Sequence, residues 1–138
     1  MWKFYAILSA VFAALTAIFA KIGIKNVNSD LATAIRTVVI LLITWGIVFF
    51  GQKAAGIKDL TRLNWTFLIL SGVATGLSWL FYFKALQFGE VSKVASIDKL
   101  SVVFVLLLSI FILKEPLNLK VIIGALLICA GGIVMIWK

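Results

Sequence analysis

The chain has 138 residues, 64% of them hydrophobic, with a mean hydropathy of +1.20. Soluble domains carry about 45–50% apolar residues, so composition alone describes an integral membrane protein. With no histidine, one cysteine and five acids, a disulfide framework, a Ser-His-Asp triad and a Cys- or His-based metal site are excluded. The net charge of +8 does not point to nucleic acid. The bases are spread singly, many at the ends of apolar runs, as membrane flanks are. No nucleic-acid partner and no cofactor are expected, and the surrounding medium is the lipid bilayer.

A transmembrane helix needs roughly 20 mostly apolar residues, and five segments reach that length. The first predicted helix, about 2–22, has no acid and reads as an uncleaved signal anchor. The turn "GIKNVNSD" follows, with Asp30 as candidate N-cap of a second helix, about 31–50. The polar stretch "GQKAAGIKDLTRLN" leads to a third, about 65–86. After "QFGE", Ser92 is the candidate N-cap of a fourth, about 92–113. "KEPL" joins this to a fifth, about 118–137. Gly23, Gly51 and Gly89 sit where helices should end, and Pro116 stands where a helix can stop without losing a donor. No linker separates two domains. The expectation is an all-α integral membrane protein of five transmembrane helices with short loops, a single domain over residues 1–138.

Trp2, Trp65 and Trp137 lie at span edges, as interfacial indoles do, and Trp45 and Trp79 lie deeper. An odd number of spans puts the two ends of the chain on opposite faces. Lys3, Lys53, Lys58, Arg62, Lys114 and Lys120 then share the N-terminal face. Lys21, Lys25, Lys93 and Lys138 lie on the other, where the embedded Arg36, Lys84 and Lys99 also belong. The division is nearly even, so the positive-inside rule sets no firm orientation.

Arg36, Lys84, Asp98 and Lys99 all fall inside predicted spans, in the half of the bilayer away from the N-terminus. A charge buried there costs about 2.5–3.5 kcal/mol on insertion scales. Such a group faces a bundle interior or a wet cavity, or else snorkels to the headgroups. Snorkelling suits Lys84, and both readings stand for Arg36 and Lys99. Asp98 is too short to snorkel far and needs a protein partner or water. Helical neighbours point about 100° apart, so the expected partner of Asp98 is Arg36 or Lys84 from another helix rather than Lys99. A purely structural ion pair is the alternative to a functional one.

The third span reads "SGVATGLSWLFYF". Gly72 and Gly76 have the G-x-x-x-G spacing that lets helices approach closely. Ser71, Thr75 and Ser78 are expected to bond back to their own helix. Trp79 and Tyr82 stand one turn apart on the face of Thr75, aimed at the charged half, and suit an amphipathic organic ligand. Gly124, Gly131 and Gly132 mark the fifth span as a packing helix, with Cys129 as inert filling. No phosphate-binding loop, redox motif or hydrolase constellation is present, so no enzyme activity is expected. Proton coupling through Asp98 is chemically open.

The stretches "AVFAALTAIFAKIGIKNVNSDLATAIRT", "SGVATGLSWLFYFKALQFGEVSKVASIDKLSVVF" and "LKEPLNLKVIIGALLICAGGIVMI" carry a resemblance over nearly the whole chain. It resembles a single EamA-type unit of the drug/metabolite transporter superfamily. The "KEPL" turn followed by "IIGALLICAGG" is its most specific piece. Most members have ten spans, as two five-span halves of opposite topology, and this chain resembles one half. The resemblance implies transport of small organic metabolites, such as amino acids, across the inner membrane by alternating access. It implies a cavity lined by the first four helices, with Arg36, Trp79, Tyr82, Asp98 and Lys99 among the substrate-binding or gating residues, and a peripheral fifth helix. The superfamily's four-span drug exporters use a glutamate in the first span. That acid is missing here, so cationic-drug antiport by that route is not implied. Half-size length implies a dimer, an antiparallel homodimer first and a second half-size subunit otherwise. The rival readings are a non-transporting membrane scaffold and a flippase for lipid-linked substrates.

Overall fold

A computed structural model of the chain describes residues 1–116 and 118–137. Leu117 of the fourth connection and Lys138 of the charge count lie outside the described residues. Helix α1 spans Trp2–Gly23, α2 Ser29–Phe50, α3 Arg62–Phe88, α4 Val91–Asp98, α5 Ser101–Leu113 and α6 Leu119–Ile136. A short 3₁₀ helix, Ala54–Asp59, lies in the second connection, where a plain loop was expected. No strand occurs among the described residues. Five helical stretches are long and apolar enough to cross a membrane, with α4 and α5 together forming the fourth, Val91–Leu113. At 1.5 Å per residue, α3 is about 40 Å long, so it tilts in the bilayer or extends beyond the hydrocarbon.

The helix ends depart from the sequence reading in instructive ways. The N-cap of α2 is Asn28, not Asp30. Its side-chain oxygen accepts the Asp30 and Leu31 N–H groups at 2.8 and 3.2 Å. These are donors that a helix start leaves unpaired. At α4 the cap position is Glu90 rather than Ser92, and its side chain makes no capping bond. Asn118 caps α6 by accepting the Lys120 N–H at 3.0 Å.

Helix α1 ends at Gly23 and Gly51 caps α2, as expected. Yet none of the described glycines has a positive φ. The left-handed positions that turn the chain are Asn26, Gln52 and Lys114, at φ 64°, 53° and 54°. Gly51 is needed for space instead, because a Cβ there would stand 2.8 Å from the Ile47 carbonyl oxygen.

By its internal contacts the chain divides into two compact units. One is Ala20–Gln87. Its buried residues are Ala20, Ile24, Ser29, Thr33, Phe83 and Leu86, the last with no exposed surface. The Lys21 ammonium donates to the Leu86 carbonyl, and Gln87 Nε2 donates to the Val27 carbonyl at 2.6 Å. These bonds tie the end of α1 and the first turn to the C-terminal end of α3. Thr33 and Thr37 donate to the Ser29 and Thr33 carbonyls, both at 2.8 Å, so their hydroxyls are satisfied within α2. Thr75 does the same to Ser71 in α3, as expected.

The other unit comprises Met1–Phe19 and Phe88–Lys138. Here α4 packs on α6. The Ser96 hydroxyl reaches Met135 Sδ at 2.9 Å. A Cβ at Gly132 would lie 3.3 Å from the Ser96 carbonyl oxygen, so a glycine lets the two backbones meet. At Gly72, Gly76, Gly124 and Gly131 a Cβ would have open space among the described residues. Within this chain the close approach falls at Gly132, which the sequence reading did not single out for that role.

Candidate functional site

Arg36 stands seven residues into α2, about 10 Å from its start. Its guanidinium carbon lies 4.2 Å from the centroid of the Trp79 ring and 5.1 Å from that of Phe83. Both distances are within cation–π range. Tyr82, half-buried, stands between Trp79 and Phe83 in the chain of the same helix. All four residues belong to the Ala20–Gln87 unit.

The geometry follows from helical spacing. Residues 79, 82, 83 and 86 recur at intervals of three and four, so Trp79, Tyr82, Phe83 and Leu86 form one stripe on α3. The stripe runs from half-buried Trp79 to fully covered Leu86. The long arginine side chain of α2 spans to it. Sequence reasoning named Arg36, Trp79 and Tyr82 but missed Phe83. The signal was present, since Phe83 is four residues beyond Trp79.

Aromatic quadrupoles attract the guanidinium charge, but they leave its five N–H donors without lone pairs to bond. Among the described residues none of these donors forms a hydrogen bond or ion pair, and the carboxylates of the unit, Asp30 and Asp59, are not paired with it. Lys84 is exposed, as its snorkelling reading requires.

Asp98 and Lys99 belong to the other unit. The expected continuous fourth helix is interrupted where they sit. Asp98 is the last residue of α4 and α5 starts at Ser101. The Leu100, Val102 and Val103 N–H groups bond three residues back, to Ile97, Lys99 and Leu100, at 2.9, 3.1 and 3.0 Å. This is 3₁₀ bonding, and such a stretch inside a helix often marks a hinge.

Asp98 also departs from its expected pairing. Its carboxylate meets the Lys99 ammonium at 3.5 Å, with 40% and 59% of the two side chains exposed. The 100° separation of helical neighbours does not prevent this, because the helix stops at Asp98. The four-carbon stem of Lys99 is then free to swing back.

A cleft of about 400 Å³ opens elsewhere, in the Ala20–Gln87 unit, lined by Thr44, Trp45, Val48, Lys53, Ile57 and Leu60. It contains none of the predicted site residues. Trp45 on its wall packs against Phe49 at 5.5 Å between centroids. Among the described residues no group of three metal-ligating side chains comes together.

Apolar helices of spanning length, with an interrupted span and an arginine held by aromatic rings inside another, define a multi-pass helical membrane protein. The chain belongs to the EamA-like transporter family, whose model matches residues 1–137. It is similar to a protein of Sinorhizobium sp described as "Uncharacterized transporter in cobO 3'region". The two are 48% identical over 134 residues, covering 97% of this chain and 95% of that protein. No solved structure matches the chain.

Proposed function

We propose that the protein carries small organic metabolites across the inner membrane by alternating access, working as a dimer. Family membership supports transport, and the observation that carries the choice of site is the Arg36–Trp79–Phe83 cluster. A membrane-embedded cation whose N–H groups have no protein hydrogen bond, and which rings rather than headgroups hold, is available to a ligand. Trp79 and Tyr82 supply apolar surface with polar edges for the body of the ligand. Asp98 and Lys99 act as gate residues, because a 3₁₀ interruption is where a span bends at least cost. Gly72 and Gly76 on α3, and separately Gly124 and Gly131 on α6, are open within the chain and offer packing positions for a second subunit.

The test of this reading is thermal stability in detergent against a panel of amino acids, sugars and nucleotides. A ligand that binds the folded state raises the melting midpoint, so at least one compound is expected to do so. Silence across the panel would leave the chain a non-transporting membrane subunit.

The dimer makes a separate prediction. Ten-span transporters place the site between two inversely inserted halves, and two copies of a five-span chain supply both halves if they insert oppositely. The near-even division of bases permits that. A cytoplasm-active and an exterior-active reporter fused to the C-terminus are therefore expected to give comparable signals. Signal from only one would exclude the antiparallel homodimer and call for a different half-size partner.

A further inference from the structure

We infer that the ligand held at Arg36 is a small organic anion, whose carboxylate or phosphate is bound by the N–H groups of the guanidinium beside Trp79 and Phe83. The inference rests on the transporter reading above and narrows its substrate class.

The ring cluster leaves the hydrogen-bonding capacity of Arg36 unmet. Cation–π contacts at 4.2 and 5.1 Å compensate part of the charge of Arg36. They accept none of its hydrogen bonds in the ordinary sense, and an unpaired donor in hydrocarbon costs several kcal/mol. The unit's own acids do not fill the gap. Asp30 is at the start of the same helix, where the Ser29 hydroxyl lies 3.4 Å from its carboxylate. Asp59 ends the 3₁₀ helix of the second connection. Neither is in an ion pair with Arg36 among the described residues.

A planar guanidinium presents its donors in a fork that matches the paired oxygens of a carboxylate or phosphate. The neighbouring rings restrict where that fork can swing and so reduce the ordering cost of binding. A neutral ligand would satisfy donors but not charge. A cationic ligand would add like charge beside a base already in low dielectric. The balance of the unit points the same way, since bases outnumber Asp30 and Asp59 along Ala20–Gln87.

The test uses the full-length protein in detergent and compares each anion with a neutral counterpart at matched ionic strength. The probes are succinate with succinamide, glycerol 3-phosphate with glycerol, and putrescine as a cation. At least one anion is expected to raise the melting midpoint, with its neutral counterpart and putrescine inert. Arg36→Lys, which keeps the charge and loses the fork, is expected to weaken the response by roughly tenfold. Arg36→Gln should abolish it.

Equal or exclusive stabilisation by the neutral or cationic probes would overturn the anion class and leave the transporter reading standing. So would silence of both anions and of the nucleotides while a neutral sugar of the wider panel responds; a nucleotide response would support the anion class. An anion response that persists in a folded Arg36→Gln protein would overturn the assignment to Arg36. Silence of every compound would overturn both readings. The comparison of paired probes on the unaltered protein decides the class even if a variant fails to fold.

Discussion

Phe83→Ala is expected to lower the thermal midpoint of the protein in detergent by roughly 5 °C, an effect of about 2 kcal/mol. Phe83 is 2% exposed and supplies one of the two rings beside Arg36. In a soluble core such a truncation costs about 3–5 kcal/mol. In a bilayer much of the transfer part cancels, because an undocked helix leaves its side chains in equally apolar lipid. What remains is the lost packing and a cation–π contact of about 1–2 kcal/mol. Phe81 provides the control, two residues away on α3 and 71% exposed. Phe81→Ala is expected to shift the midpoint by less than a third as much. Equal shifts at the two positions would mean that the stripe facing Arg36 does not hold the unit together.

Asp98→Asn is expected to reduce substrate exchange in proteoliposomes about tenfold or more, while the melting midpoint stays within about 2 °C of the unaltered protein. Its ion pair with Lys99 joins adjacent, substantially exposed side chains. Pairs of that kind add at most about 1 kcal/mol to stability. Asparagine keeps the shape and is easier to bury in a membrane, so a carboxylate at the end of α4 has no advantage for folding. On the proposed gate reading its use lies in charge, steadying Lys99 at the interruption. Exchange that survives the substitution would remove Asp98 from the gate. Loss of exchange together with a fallen midpoint would make the pair structural.

Much of the candidate site was legible in the chain. Arg36 declares itself because a charge inside an apolar run is costly, and Trp79 and Tyr82 because their spacing fixes a common face of α3. Their meeting with Arg36 was not legible, since no local rule says which helix an arginine side chain crosses to. Phe83 was hidden among the many aromatic residues of "WLFYFK", most of which could equally face lipid. The pairing of Asp98 with Lys99 was read the wrong way for a definite reason. The 100° rule assumes an unbroken helix, and the tightened bonding from Ile97 to Val103 removes that assumption. Gly132 was grouped with the packing glycines but not distinguished from Gly131, because only the position of Ser96 on α4 makes one of the two a close approach.

A multi-pass helical membrane protein with five apolar stretches of spanning length was legible from residue order alone. Apolar length is additive along the chain, and every backbone group in lipid must bond within its own helix. The approximate helix ends were legible too, because breakers are local, although the caps themselves fell at Asn28 and Glu90 rather than Asp30 and Ser92. The left-handed turns at Asn26, Gln52 and Lys114, the interruption of the fourth span, and the choice of rings that hold Arg36 emerge only in three dimensions. Those outcomes depend on packing between helices, where lipid and protein offer nearly the same apolar environment. Close contact and hydrogen bonding then decide what composition cannot.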